Sequence, residues 1–241
     1  GAMRTSAWAV LLAFGACTQS PSPAREAPAD SDPTERARLQ MVSEQIEARG
    51  VQSPAVLQAM RVVPRHRFVP PSQEGHAYED HPLPIGHQQT ISQPYIVALM
   101  TELAEVERGD TVLEVGTGSG YQAAVLAELG VTLFSIEIVE PLAERADATL
   151  RELGYAVRVR HGDGYAGWPE HAPFDAIVVT AAPPRIPAPL QEQLKIGGHL
   201  VIPVGRNYQS LKRLTRTDRG FREEDILPVR FVPMTGEAQS H

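Results

Sequence analysis

The run Thr111-Val112-Leu113-Glu114-Val115-Gly116-Thr117-Gly118-Ser119-Gly120 limits what this chain can fold into, because an apolar strand empties directly into three alternating glycines. Gly116, Gly118 and Gly120 permit positive φ and let backbone approach a ligand where a Cβ atom would collide. Tyr121 to Leu129 then read as the following helix. Strand, glycine turn and helix in that order predict a doubly wound α/β sheet with a nucleotide-like ligand at the turn.

Strands and helices alternate beyond it. Thr132 to Glu137 reads as a strand, Pro141 to Leu153 as a helix closed by Gly154, and Tyr155 to Arg160 as a third strand. Phe174 to Thr180 is a fully apolar fourth, followed by a helix around Leu190 to Leu194 and a strand from His199 to Val204. Continuous apolar strands separated by helices predict a mostly parallel sheet with helices on both faces. Leu211 to Thr217 and Ile226 to Val232 predict a closing antiparallel strand pair. Upstream, Leu39, Val42 and Ile46 predict an amphipathic helix from Pro33 to Gly50, and Ser53-Pro54 opens a second short one. Pro64 to Gln89 reads as turn-rich and irregular. Ser92-Gln93-Pro94 then reads as a helix start with Ile96, Leu99, Met100 and Leu103 on one face, which places Ser92 as a cap with donors open to an anion.

The formal charge of −7 and the lack of a dense Lys/Arg block speak against a nucleic-acid partner. No His/Cys spacing suits a metal, and the one cysteine, Cys17, excludes an intrachain disulfide. Met3-Arg4, the apolar run Ala7 to Ala16, Cys17 and a Pro/Ser/Ala-rich stretch together look like a lipoprotein signal and tether. The other reading is a disordered leader, or a true start near Met41; Gly1-Ala2 resembles a cloning scar. The expected division is a leader and linker over residues 1–35, one catalytic domain over 36–236 and a tail over 237–241. A membrane is a partner only if Cys17 is lipidated.

A dinucleotide site needs Gly-x-Gly-x-x-Gly/Ala, and here Tyr121 occupies the third position. That opposes a nicotinamide cofactor. Glu137, ending the second strand, stands where a carboxylate accepts from both ribose hydroxyls, which points to S-adenosylmethionine. Asp163, in His161-Gly162-Asp163-Gly164 after the third strand, is placed to accept from an adenine amino group, with Gly162 allowing close approach. Three such features at successive strand ends line one crevice.

Val63-Pro64-Arg65-His66-Arg67-Phe68-Val69-Pro70, Leu83 through Pro94 (with Ile85-Gly86-His87-Gln88-Gln89-Thr90-Ile91-Ser92), His161 through Gly164, and Pro173 through Ile177 closely resemble the protein-L-isoaspartate O-methyltransferases, over about Arg36 to Thr235. The resemblance implies a Rossmann-like methyltransferase sheet with its last strands in a modified order. It also implies methylation of the α-carboxylate of L-isoaspartyl residues in damaged proteins, with D-aspartyl sites as a side activity. It places Ser92 as the catalytic residue and Ile85, Gly86, Gln88, Glu114, Gly116, Gly118, Glu137, Gly162, Asp163 and Thr235 on cofactor positions. His87, Thr90 and Ser92 fall to the substrate. A cytoplasmic monomer is expected, with an envelope lipoprotein anchored at Cys17 as the alternative location. A non-catalytic tethered module that only binds isoaspartyl sites is the competing function.

The proposed reaction needs no strong base, because a carboxylate is already ionised near neutral pH. Alignment and the exclusion of water do most of the work, and holding reactants in line is worth roughly 7 to 11 kcal/mol in favourable cases. The absence of a catalytic triad agrees with that.

Overall fold

The structure is a computed structural model that describes Asp32–His241. Cys17 and the leader lie outside the described residues. A seven-stranded sheet organises the rest: β3 (Thr111–Val115), β4 (Thr132–Glu137), β5 (Val157–His161), β6 (Phe174–Val179), β7 (Leu194–Val204), β8 (Gln209–Thr217) and β9 (Gly220–Val229). Preceding it are β1 (Leu83–Gly86) and β2 (Gln89–Ile91), which pair with each other as a separate hairpin. In the large sheet the spatial order is β5-β4-β3-β6-β7-β8-β9. Strands β3 to β7 run parallel, and only β8 opposes its neighbours. The chain leaves β3 toward β4 on one side and returns to β6 on the other. That reversal opens a crevice at the carboxyl end of β3, where the glycine turn stands.

The alternation of side chains along the buried strands divides the core in two. Val112, Leu133, Ala176, Val178 and Val201 face one layer, which is built with α2 (Pro54–Val62), α3 (Pro94–Ala104), α4 (Tyr121–Glu128) and α5 (Glu140–Glu152). Leu113, Val115, Phe134, Ile136, Ile177 and Val179 face the other, with Leu190 of α6 (Ala188–Glu192) and the C-terminal Met234 and Ala238. The expected tail over 237–241 is therefore corrected: a 3-10 turn over Gly236–Ser240 packs Ala238 into the core, and His241 stacks on Tyr165 at 4.9 Å.

Helix α1 (Pro33–Met41) is capped by Asp32, whose carboxylate accepts from Thr34 N at 3.0 Å. It runs on through a π turn over Val42–Ile46 and a 3-10 turn to Gly50, whose φ of 101° ends it as expected. Met41 rather than Leu39 joins Val42 and Ile46 in the core, and Leu39 is exposed. Arg38 ties this helix down, donating from Nε to Arg61 O at 2.6 Å and from Nη1 to the Tyr78 hydroxyl at 3.2 Å. Folded structure thus precedes Met41.

Two further differences bear on the site. The stretch read as irregular holds the β1–β2 hairpin, whose tip residues His87 and Gln88 take φ of 54° and 58°. Left-handed pairs of this kind are usually signalled by Asn-Gly, and His-Gln carries no such signal. Helix α3 begins one residue later than expected: Gln93 is its N-cap and no side chain bonds to the first turn, so Ser92 is not the cap. Of its expected apolar face, Met100 is fully buried and Ile96, Leu99 and Leu103 are partly so, with Val97, Ala98 and Ala104 completing the contact. Strand β9 also starts and ends earlier than expected, so Arg230 to Val232 leave the sheet and pass over the crevice.

Candidate active site

The glycine turn is fixed by the strands around it. Gly116 and Gly118 take φ of 97° and 53°, and a Cβ on Gly116 would stand 2.5 Å from Thr180 Oγ1. Glycine is required there on both counts. Thr180, at the end of β6, donates its hydroxyl to Gly116 O and so bolts the turn to the neighbouring strand. Across the crevice the Glu137 carboxylate accepts from Gly118 N at 2.7 Å through Oε1 and from Val139 N at 3.0 Å through Oε2. A carboxylate has about four lone-pair sites, so both oxygens keep room for a further donor.

Glu114 lies beneath this layer. It is fully buried, Ser135 Oγ donates to its Oε1 at 2.6 Å, and Ser135 Oγ stands 2.5 Å from Thr117 Oγ1 in the turn. Its Oε2 has no partner, and burial, reinforced by the nearby Glu137 charge, lifts the carboxyl to about 8. Glu114, expected on a cofactor position, lines neither of the two cavities at the turn. Glu114 reaches the turn only through Ser135 and Thr117, because alternation along β3 turns Val115 rather than Glu114 to the crevice.

Two cavities adjoin at the turn. One of about 50 Å³ is lined by Gly116, Gly118, Glu137, Gly164, Thr180 and Thr235, among others. The second, of about 400 Å³, is lined by Thr90, Ser92, Gln93, Ile96, Thr180 and the segment Pro228 to Val232. Thr90, Thr180 and Val232 belong to both, so the two form one continuous crevice. Among the described residues the Ser92 hydroxyl has no protein partner, which leaves it free for a ligand.

Several expected residues stand at the rim. Asp163 is exposed, with Oδ1 accepting from Tyr165 N at 3.0 Å and Oδ2 from Glu237 N at 2.8 Å, so the C-terminal turn rests on it. Gly162 does not line either cavity; its N–H donates to Glu137 O at 2.9 Å, and its φ lies outside the left-handed region. Ile85 is buried, its Cδ1 would lie 3.8 Å from a Cβ on Gly118, and its carbonyl accepts from Arg145 Nη2 at 2.5 Å. That bond tethers the hairpin to α5. Gly86, His87 and Gln88 form the exposed hairpin tip and line neither cavity, while Thr90 at its base lines both.

Thr180 and the strap Val232 to Met234 were not expected in the site. Thr180 carried a legible signal as the terminus of a buried parallel strand beside the switch point. The strap had none, because a backbone pairing places it: Ala182 N donates to Val232 O and Met234 N to Ala182 O, both at 2.8 Å. Tyr121 packs, with the Arg65 guanidinium 4.9 Å from its ring centre. His66, His81 and His161 bond to Tyr78, Glu79 and the Ile138 carbonyl and line neither cavity.

Residues 36–239 match the family model for protein-L-isoaspartate(D-aspartate) O-methyltransferase. The chain belongs to that family. A protein-L-isoaspartate O-methyltransferase of Gloeobacter violaceus is 62% identical over 200 residues, covering 82% of this chain and 98% of its own. One from Opitutus terrae is 59% identical over 203 residues, covering 83% and 87%. A solved protein-L-isoaspartate O-methyltransferase superposes with a TM-score of 0.76 at 28% identity, covering 85% of this chain and 67% of its own. A Plasmodium falciparum structure, described as a putative protein-L-isoaspartate O-methyltransferase in complex with S-adenosyl-L-homocysteine, shares the fold with a TM-score of 0.71 at 24% identity, over 82% and 98% of the two chains. The Rossmann-like sheet, with its last strands in the order β7-β8-β9, is the fold of this family as it occurs here.

Proposed function

We propose that this member of the isoaspartate methyltransferase family moves a methyl group from S-adenosylmethionine to the α-carboxylate of L-isoaspartyl residues in damaged proteins. The observation that carries the reading is the single crevice in which a nucleoside-type cradle meets an unpartnered serine hydroxyl across Thr90 and Thr180. The cradle suits the cofactor: glycine backbone closes one side, and Glu137 faces it with acceptor capacity for a vicinal diol. Gly116, Gly118 and Glu137 would hold the nucleoside, Asp163 would receive the adenine amino group at the rim, and Thr235 would close the site. When bound, the cofactor supplies an electrophilic sulfonium methyl.

Ser92 donates its hydroxyl to one carboxylate oxygen of the isoaspartyl group and leaves the other to face the methyl donor. Thr90, at the base of the hairpin that bears His87 and Gln88, would stand beside the bound substrate. The methyl ester formed is a better acyl acceptor than the carboxylate, so the flanking peptide nitrogen attacks its carbonyl and closes a succinimide without further catalysis, the methoxy group leaving as methanol. Hydrolysis of that ring returns part of the material to the normal aspartyl linkage.

The test is transfer of labelled methyl from S-adenosylmethionine to an isoaspartyl peptide and its aspartyl twin. Labelling of the first alone is expected; no labelling by folded protein would sink the reading in favour of a binding module. D-aspartyl peptides belong in the same assay as the side activity. The cytoplasm, where the cofactor is made, is the proposed location and a monomer the proposed state. Among the described residues no helix is long and apolar enough to cross a membrane. The mass of the mature N-terminus and size-exclusion chromatography test the two points, an acylated Cys17 marking the envelope alternative.

A further inference from the structure

We infer that Arg230 is the specificity residue that captures the free carboxylate of the isoaspartyl substrate. This rests on the reading of the larger cavity as the substrate site. Of the eleven residues lining that cavity, Arg230 alone is charged; the others supply hydroxyl, amide and apolar surface. The cation sits in the strap that leaves β9 at Val229 and runs over the crevice toward Thr235.

Its surroundings leave it uncommitted. Among the described residues the Arg230 side chain has no ion pair and no hydrogen bond, whereas Arg213, nearby in sequence terms on β8, is paired with Glu224 at 2.9 Å. An exposed cation beside a cavity with no acidic lining is a site for an anion. The chain as a whole carries −7, so its field repels an anionic peptide, and a local cation is needed to offset that repulsion at the crevice.

The substrate has the complementary feature. An isoaspartyl residue presents a free α-carboxylate one bond from the main chain, where a normal aspartyl linkage presents it on a side chain of different reach. The Arg230 guanidinium on the strap and the Ser92 hydroxyl, which line the same cavity, would share the oxygens of that group. A carboxylate offers about four lone-pair sites, so two such donors leave about two open, one of which can take the methyl group. Methylation converts the anion to a neutral ester, the attraction to Arg230 disappears, and the product leaves.

The experiment compares the full chain with Arg230→Gln and Arg230→Lys in steady-state methylation of an isoaspartyl peptide at several salt concentrations. The same peptide with that carboxylate replaced by a carboxamide serves as a competitive inhibitor. Arg230→Gln is expected to raise KM about 10-fold or more with kcat within about twofold, and to flatten the fall of kcat/KM with salt. Arg230→Lys restores part of the loss, and the inhibition constant of the carboxamide peptide stays within about twofold. Cofactor affinity and melting temperature stay at the wild-type values. An unchanged KM, or equal losses for the carboxylate and carboxamide peptides, overturns the inference while wild-type turnover leaves the proposed reaction standing. Absence of wild-type turnover overturns both.

Discussion

The two halves of the crevice are built on different terms. On the cofactor side each polar group that touches the glycine turn is already engaged: Glu137 by two backbone N–H groups, Thr180 by Gly116 O, Thr117 by Ser135. On the side proposed for the substrate, Ser92 and Arg230 have no partner among the described residues, and the hairpin tip is exposed. One half is organised before any ligand arrives and the other leaves its donors for the ligand. Preorganised contacts pay no ordering cost on binding, which suits a cofactor used in every turnover; open donors suit a peptide that differs from one damaged protein to the next.

Removing the anchor of the rigid half should have the largest effect. Glu137→Ala deletes the carboxylate proposed to accept from the ribose and frees Gly118 N and Val139 N, so cofactor binding is expected to weaken by about 10²- to 10³-fold in calorimetry. A loss below about tenfold would show that the turn holds the nucleoside without it.

Glu114 gives a second break in the same half. Its carboxyl is raised from 4.5 to about 8, so the folded state holds the proton where the unfolded chain releases it. The favourable balance is complete below the unfolded value and is lost as pH rises through about 8, a cost of a few kcal/mol. Glu114→Gln, neutral at all pH, should therefore match wild type in melting temperature near pH 4 and exceed it increasingly toward pH 8 (roughly the window set by the two pKa values). Parallel pH profiles of the two proteins would refute the shift.

Ser92→Ala tests the open half. Because Gln93 is the cap of α3, folding stability should change by less than about 0.5 kcal/mol, against about 1 kcal/mol for a lost side-chain cap. Turnover is expected to fall by about 10- to 100-fold through loss of one orienting hydrogen bond, with cofactor affinity unchanged. A matched fall in stability and turnover would return Ser92 to a structural role. The smallest effect concerns the hairpin tip: Gln88→Gly relieves a positive φ of 58° and should stabilise the protein by about 0.5–1 kcal/mol in thermal unfolding. No gain would mean that the tip relaxes at no cost.

Legibility in the sequence followed the range of the contacts. The glycine turn, Glu137 and the strand ends were readable because each depends on backbone conformation within a few residues, and β4 spans Thr132–Glu137 as expected. The burial of Glu114 away from both cavities was not readable, because a motif position does not state which face of a strand a side chain takes. The hairpin was missed because His87-Gln88 lacks turn chemistry, and the cap was assigned to Ser92 because Ser before Gln-Pro has the usual capping composition.

The sequence alone determined the alternation of strands and helices, the position of the glycine turn and, through the stretch from Ile85 to Ser92, the family to which the chain belongs. Tertiary structure decided which distant segments complete the crevice. Arg230 and Val232 reach Ser92 across more than a hundred residues because β9 ends early and the strap pairs with Ala182. Local pattern is written in neighbouring residues, whereas a strap of this kind is held by backbone hydrogen bonds between segments remote in sequence, to which side-chain identity contributes little.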